Sequence, residues 1–191
     1  MSGLARGLLR GVLRLLYRVR ITGLEHYAQA GPRVLIVANH TSFLDAALLA
    51  AFLPDRLTFA INTEISKRWW MRPLLYLVDA LPLDPTNPYS LKTLIRHIAT
   101  DQRAVIFPEG RITVTGSLMK IYPGPGLVAE KSRAVLLPVR IDGAQFTPFS
   151  RLRGRVRLRW LPKITLTILP PQRLTIPDAA RGRERRRIAG K

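Results

Sequence analysis

The chain has 191 residues, no cysteine, and 31 lysines and arginines against 12 acidic residues. Its length suits one domain with short appendages, and the missing cysteines exclude a disulfide scaffold, a thiolate zinc site and a cysteine nucleophile. The net charge of +19 lies at the two ends: residues 1–20 carry five arginines and no acid, and residues 151–191 carry 13 basic and two acidic residues. Charge at the ends predicts a polyanionic partner surface, either a nucleic acid or the anionic face of a membrane.

The first predicted element is an amphipathic helix over residues 1–20. Four arginines follow one another at four-residue spacing and fall on one side of a helix, and the apolar residues cover the other side. The helix has no run of ~18 apolar residues that would span a bilayer. We expect it to lie in a membrane interface, with leucines among acyl chains and arginines among phosphates. The alternative is a helix packed on its own domain, and the two arrangements are compatible. The arginines are Arg6, Arg10, Arg14 and Arg18, and the apolar residues are Leu4, Leu8, Leu9, Val12, Leu13, Leu15 and Leu16.

Short apolar runs alternate with helical patterns in the rest of the chain. This alternation predicts an α/β fold whose central, mostly parallel sheet is flanked by helices. No linker is long enough to separate two domains, so we expect one domain over 21–170, followed by a basic tail over 171–191 with a short helix. In the mixed segment 65–79, Trp69 and Trp70 are predicted to lie on a helix. We predict strands at 34–38, 57–61, 104–107, 134–141 and 164–169, and helices at 43–53, 91–100 and 127–131.

Residues 151–160 carry an arginine at every odd position. A strand would show one cationic face and one apolar face, whereas a helix or loop would be cationic all round. Either form predicts a surface that contacts phosphates or an acidic protein.

The motif that runs from Asn39 through His40 to Asp45 lies where a predicted strand leads into a helix. Ligands bind at the carboxyl ends of strands in α/β sheets. The five-residue spacing allows the Asp45 carboxylate to reach an imidazole nitrogen of His40 and to fix its tautomer. Because no serine lies in a Gly-x-Ser-x-Gly turn, the pair predicts direct base catalysis on a bound hydroxyl or water. The alternative is a helix cap beside an unrelated histidine. The three histidines lack metal-ligand spacing, so no metal site is expected.

A second motif, from Phe107 to Arg111, follows another buried strand. Glu109, Gly110 and Arg111 there would offer backbone N–H groups and a guanidinium to an anion, and Glu109 would hold Arg111 in place. Taken alone, this motif is a weak signal.

In this order, and followed by a Leu-Pro-Val strand at 137–139, the motifs resemble those of glycerolipid acyltransferases of the 1-acylglycerol-3-phosphate acyltransferase type. The resemblance runs over about residues 10–170. A narrower resemblance, in segments 15–20, 81–86 and 106–122, is to the acyltransferase part of the bifunctional 2-acylglycerophosphoethanolamine acyltransferase/acyl-[acyl-carrier-protein] synthetase. The chain is too short for the synthetase half as well, so we expect either a fragment or a stand-alone acyltransferase.

The resemblance implies transfer of an acyl group from acyl carrier protein or coenzyme A to a lysophospholipid, without a cofactor or a metal. It implies His40 as the base, Asp45 as its partner, and a substrate-binding set of Asn39, Glu109, Gly110 and Arg111. It also implies a peripheral or monotopic location on the cytoplasmic face of a bacterial inner membrane.

Two departures from the family pattern bear on the acceptor. Arg111 follows Gly110 without the intervening threonine, and Leu83-Asp84-Pro85 lacks the arginine that relatives have after the aspartate. The missing arginine favours 2-acylglycerophosphoethanolamine, whose phosphodiester carries one negative charge. The alternatives are a 1-acylglycerol-3-phosphate acyltransferase, an acyltransferase-like protein that binds lipid without turnover, and a basic nucleic-acid-binding protein. The last has no recognisable nucleic-acid-binding motif to support it.

Overall fold

A computed structural model of the chain describes residues 3–67, 69, 75–76, 78–84, 87–117, 119–175 and 182–189. Trp70, Pro85, Thr86 and Leu118 lie outside the described residues, as does part of the predicted tail. In chain order the elements are α1 (Gly3–Tyr17), β1 (Arg20–Thr22), α2 (Leu24–Gln29), β2 (Val34–Ala38), α3 (Leu44–Phe52), β3 (Thr58–Asn62), α4 (Thr63–Ser66), β4 (Asp79–Leu83), α5 (Pro88–Ala99), β5 (Ala104–Ile106), α6 (Gly124–Ser132), β6 (Val135–Asp142), β7 (Thr165–Ile168) and α7 (Gly182–Ala189).

The described strands form one sheet in the order β1-β7-β6-β2-β5-β3-β4. The run from β6 to β4 is parallel, whereas β7 lies antiparallel to β6, and β1 follows β7. The predicted α/β fold with a mostly parallel sheet is therefore confirmed. Strands β1 and β4 were not predicted, because β1 has three residues and β4 contains Pro82. Both are edge strands, where a proline is tolerated because one side of the strand needs no hydrogen-bonding partner.

Both faces of the sheet are covered. Alternate side chains of a strand point to opposite faces, so Ile36 of β2 joins one core cluster and Leu35 joins the other. The first cluster includes α1 and α3, and the second includes α5 and α6. Burial on both faces explains why β2 is an uninterrupted apolar run.

The orientation of α1 corrects one expectation. The Arg6 guanidinium donates to the Pro54 carbonyl oxygen at 2.8 Å, and Nε of Arg10 donates to the Ala51 carbonyl oxygen at 2.7 Å. The last carbonyls of a helix lack intrahelical partners and carry a partial negative charge, so the end of α3 binds these two arginines. They therefore face the domain rather than lipid phosphates, and burial lowers the pKa of Arg6.

The opposite side of α1 is apolar and exposed. The exposed fractions of Leu4, Leu8 and Leu15 are 87%, 71% and 81%, whereas Leu13 and Tyr17 are buried against the domain. The helix thus packs on its own domain, as the alternative proposed, but presents its leucines to the surroundings.

The basic segments at the C-terminal end are not strands. Residues 151–160 form a turn-containing loop with a single bridge between Arg153 and Val156, so the loop alternative is correct. Leu152 is buried and the five arginines are exposed. The predicted short helix in the tail is present as α7, which packs on α6.

Candidate active site

The Asp45 carboxylate organises the loop between β2 and α3. Its side chain is fully buried in the first turn of α3. Oδ2 accepts the backbone N–H groups of Thr41 at 2.6 Å and Ser42 at 2.8 Å. Both N–H groups belong to the turn that precedes α3, and Asp45 itself lies in the first turn of the helix, where a carboxylate is favoured by the helix dipole. The first motif therefore folds as a tight turn around Asp45.

The predicted contact between His40 and Asp45 is present. Nδ1 of His40 lies 2.9 Å from Oδ2 of Asp45. An ionised carboxylate only accepts hydrogen bonds, so this contact assigns the proton to Nδ1 and leaves Nε2 with its lone pair. Nε2 has no hydrogen-bonding partner among the described residues. The imidazole stacks on the Phe107 ring, with the ring centroids 4.0 Å apart. The side chain of His40 is 19% exposed. A base in this setting is held firmly and remains accessible.

Glu109 joins the second motif to the first. Its buried carboxylate accepts the backbone N–H of His40 through Oε1 and that of Met119 through Oε2, both at 3.1 Å. The carbonyl oxygen of His40 accepts the N–H of Thr113 at 2.8 Å. The backbone of His40 is thereby fixed from both sides by the loop after β5. The expectation that Glu109 holds Arg111 is wrong, because the carboxylate binds the backbone groups of His40 and Met119 and makes no hydrogen bond or ion pair with Arg111.

Arg111, two residues after Glu109, lies at the protein surface. Its side chain is exposed and makes no hydrogen bond or ion pair to any residue that the structure describes. Gly110 before it closes a turn by donating its N–H to the Phe107 carbonyl oxygen, with φ of +67°. A positive φ favours glycine. Arg111 lies between Glu109 and Thr113, which both bind the backbone of His40. Its guanidinium is available to an anion, and its role as anchor for a phosphate stays a prediction.

Asn39 has a structural contact at this edge. Its Nδ2 donates to the carbonyl oxygen of Ile141 at 2.9 Å, and its Oδ1 accepts the N–H of Ile141 at 2.7 Å. The side chain thus links the end of β2 to β6 and sets the start of the His40 turn. Its contact with substrate stays a prediction.

A third segment, at 147–151, borders the site and was not predicted to do so. The Ser42 and Thr147 hydroxyl oxygens lie 3.2 Å apart, and the Phe43 N–H donates to the Phe149 carbonyl oxygen at 3.2 Å. The Arg151 guanidinium lies 5.5 Å from the centroid of the Phe43 ring. The alternating arginines drew attention to Arg151, but no local signal joins residues about 105 positions apart. The stacking of Phe107 on His40 likewise has no local signal in the sequence.

Comparison with known proteins assigns the family. The sequence profile of the Acyltransferase family matches residues 18–142, which include both motifs. The chain belongs to the Acyltransferase family. The matched part contains every predicted site residue. His40–Asp45 follow β2 in it, and Glu109–Arg111 follow β5.

Two relatives of this chain are both named 1-acyl-sn-glycerol-3-phosphate acyltransferases. The chain is similar to the 1-acyl-sn-glycerol-3-phosphate acyltransferase alpha of Mus musculus, with 25% identity over 167 residues, 81% of this chain and 57% of the mouse protein. It is also similar to the chloroplastic 1-acyl-sn-glycerol-3-phosphate acyltransferase LPAT1 of Arabidopsis thaliana, with 27% identity over 131 residues, 66% of this chain and 36% of that protein. The chain thus spans little more than half of one relative's length and about a third of the other's.

A solved structure supports the fold. The crystal structure of the 1-acyl-sn-glycerophosphate (LPA) acyltransferase PlsC from Thermotoga maritima aligns with a TM-score of 0.63 at 19% identity. The alignment covers 97% of this chain and 77% of the other. At this identity the likeness establishes the architecture alone.

Proposed function

We propose that the chain catalyses acyl transfer from a thioester to the free hydroxyl of a lysophospholipid. The observation that carries the proposal is the His40–Asp45 pair, whose Nε2 is unbound at the carboxyl edge of the sheet. Nε2 of His40 takes the proton of the hydroxyl while its oxygen attacks the thioester carbonyl carbon. The carbon–sulfur bond then breaks, and the same nitrogen returns the proton to the leaving thiolate. General base catalysis of this kind contributes about 10²–10⁴ to a rate.

The phosphate of the acceptor is assigned to Arg111. A guanidinium matches phosphate oxygens with paired donors, and that of Arg111 is exposed and without a described partner. The names of the relatives favour 1-acylglycerol-3-phosphate as the acceptor. Leu83-Asp84-Pro85, which lacks the arginine of the commoner family pattern, favours the singly charged phosphodiester of 2-acylglycerophosphoethanolamine. The relatives' names give the first acceptor slightly more support.

The donor is proposed to be an acyl-[acyl-carrier-protein] or acyl-CoA. Arg151 stands beside Phe43 of the first motif, so the exposed arginines of 151–159 can steer an acidic carrier or an anionic nucleotide towards the site. Steering by exposed charges weakens with salt. A comparison of both donors at low and high ionic strength therefore tests this assignment.

We also propose that α1 attaches the protein to a bilayer surface. None of the helices in the described ranges is both long and apolar enough to cross a membrane. The outward face of α1 is purely apolar, and burial of one leucine contributes about 1.5–3 kcal/mol. Arg14 and Arg18, which are exposed beside this face, can meet lipid phosphates. The cytoplasmic face of a bacterial inner membrane remains the proposed location.

An acceptor panel tests the enzymatic proposal. Purified protein receives a labelled acyl donor and lysophosphatidylethanolamine, lysophosphatidylglycerol or lysophosphatidic acid. We expect turnover of at least one acceptor and its loss by about 10²–10⁴ in His40→Ala. His97 lies on α5. His97→Ala is the matched control and should keep wild-type turnover. Equal loss in both variants, or turnover that survives in His40→Ala, would contradict the assigned base.

A further inference from the structure

A cavity of about 460 Å³ lies at the amino ends of the central strands, whereas His40 lies at their carboxyl ends. Its charged lining residues, among those described, are Arg33, Arg133, Arg173 and Asp101. Arg33 precedes β2 and Arg133 lies just before β6, so both mark the amino ends of central strands. His40 follows the other end of β2, and a five-residue strand is roughly 17 Å long. This cavity is therefore separate from the proposed acyl-transfer site.

Backbone hydrogen bonds hold each of the three arginines or its direct neighbour in place. The carbonyl oxygen of Arg33 accepts the N–H of Val135 at 3.1 Å. Arg133 caps the end of α6 in the left-handed conformation, with its N–H bound to carbonyl oxygens of that helix. Next to Arg173, Gln172 exchanges two backbone hydrogen bonds of 2.8 Å with Leu136 of β6. The side chains therefore start from rigid positions around the cavity.

The charges in the cavity are not balanced. Arg33 binds Asp101 through Nε and Nη2, at 3.0 and 2.9 Å. The side chains of Arg133 and Arg173 make no hydrogen bond or ion pair with any part of the chain that the structure describes. Three guanidiniums thus face one carboxylate, and a concave wall concentrates their potential. An occupant that relieves this repulsion carries at least two negative charges.

We propose that this cavity binds a phosphate-bearing anion with two or more negative charges. Guanidinium groups donate pairs of parallel hydrogen bonds, which match the oxygens of a phosphate. Arg133 and Arg173, whose side chains have no described partner, both lie on the β6 side of the paired Arg33 and can hold the oxygens of one or two phosphate groups. The volume lies within the ~300–1,000 Å³ that is usual for small-ligand pockets. The source is either a soluble phosphate compound or the phosphate of an anionic lipid.

Calorimetric titration of the full chain with inorganic pyrophosphate at physiological salt tests the proposal. We expect one site, and a weakening of about 10- to 150-fold in Arg133→Gln and in Arg173→Gln, as for loss of a charged hydrogen bond. Lys163→Gln removes one positive charge from an exposed position before β7 and is the matched control, with less than about a twofold change because exposed charges interact weakly. Unchanged circular dichroism and urea midpoints will show that the variants fold.

A second arm separates the two sources. Vesicles that contain phosphatidylglycerol are sedimented with wild-type protein and with the Arg133→Gln/Arg173→Gln double variant. Loss of vesicle binding in the double variant, reversed in wild type by competing pyrophosphate, identifies a lipid phosphate. Unchanged vesicle binding together with the calorimetric loss identifies a soluble compound. Equal weakening in all three single variants, or no saturable site, would overturn the proposal and show only a generally cationic surface.

Discussion

Replacement of Asp45 by asparagine isolates the charge that faces His40. The amide oxygen can occupy the position of Oδ2 and still accept the N–H groups of Thr41 and Ser42 and the Nδ1–H of His40. The turn and the tautomer of the imidazole are then kept. What the variant lacks is the negative charge that stabilises the protonated imidazole during transfer.

The contact distance sets the size of the effect. Unit charges 4 Å apart interact by about 4 kcal/mol at an effective dielectric constant of 20, and Nδ1 and Oδ2 lie 2.9 Å apart. At that distance the same relation gives about 6 kcal/mol, and because ~1.36 kcal/mol corresponds to tenfold in rate, ~10⁴ is the ceiling for the loss. We expect turnover of Asp45→Asn to fall by roughly 10- to 10³-fold.

A double-mutant cycle shows whether this charge acts through His40. Turnover is measured in wild type, Asp45→Asn, His40→Ala and the double variant under saturating substrates. Without the imidazole there is no developing charge to stabilise, so Asp45→Asn should add no further loss to His40→Ala. Glu25→Gln, at an exposed position of α2, should keep wild-type turnover. Wild-type turnover in Asp45→Asn, or the same loss with and without His40, would refute the reasoning.

Asp45→Ala separates structure from catalysis. Removal of the Asp45 carboxylate leaves the N–H groups of Thr41 and Ser42 without their acceptor. An unsatisfied buried donor costs about 1–3 kcal/mol, so we expect the free energy of unfolding to fall by ~2–6 kcal/mol. Urea denaturation should show a much smaller change for Asp45→Asn. Equal destabilisation by both variants would mean that the amide does not restore the hydrogen bonds.

The remaining predictions concern the acceptor, the membrane and acid stability. Arg111→Gln should raise the KM for the lysophospholipid by about 10- to 150-fold and leave donor KM unchanged; a donor effect alone would contradict the phosphate assignment. The double variant Leu8→Ser/Leu15→Ser should weaken vesicle co-sedimentation at least ~10-fold, whereas the control, Leu169→Ser, should not. Equal binding by the double variant and the control would place membrane contact elsewhere. A hydrogen bond from Arg56 lowers the pKa of Asp79, so the pair stabilises the fold above pH ~3.9 and loses this effect as pH falls through the lowered pKa. The urea midpoint of Asp79→Asn should be slightly below that of wild type at neutral pH, because the pair is exposed, and the two midpoints should converge in acid. A constant difference between the midpoints would exclude the titration.

The central part of the fold could be predicted from the sequence because its signals are local. Residues 34–38 are an uninterrupted apolar run, and a strand buried on both faces of a parallel sheet needs that pattern. The His40–Asp45 contact could be predicted for the same reason, since a five-residue turn brings the two side chains together without help from the rest of the chain. The edge strand with Pro82 lacked such a signal, because its pairing with β3 is set by the neighbour.

What only the tertiary structure decided depends on contacts between distant residues. The amphipathic pattern of α1 shows that its two sides differ, but the direction of each side is set by the free carbonyls at the end of α3, which bind Arg6 and Arg10. Glu109 binds the backbone of His40, 69 residues earlier, because the parallel strands β2 and β5 end side by side. The same register brings Arg33 and Arg133 together at the other edge, since each lies just before the parallel strand β2 or β6. Sequence spacing carries no record of such pairings, which arise only when the strands pack into one sheet.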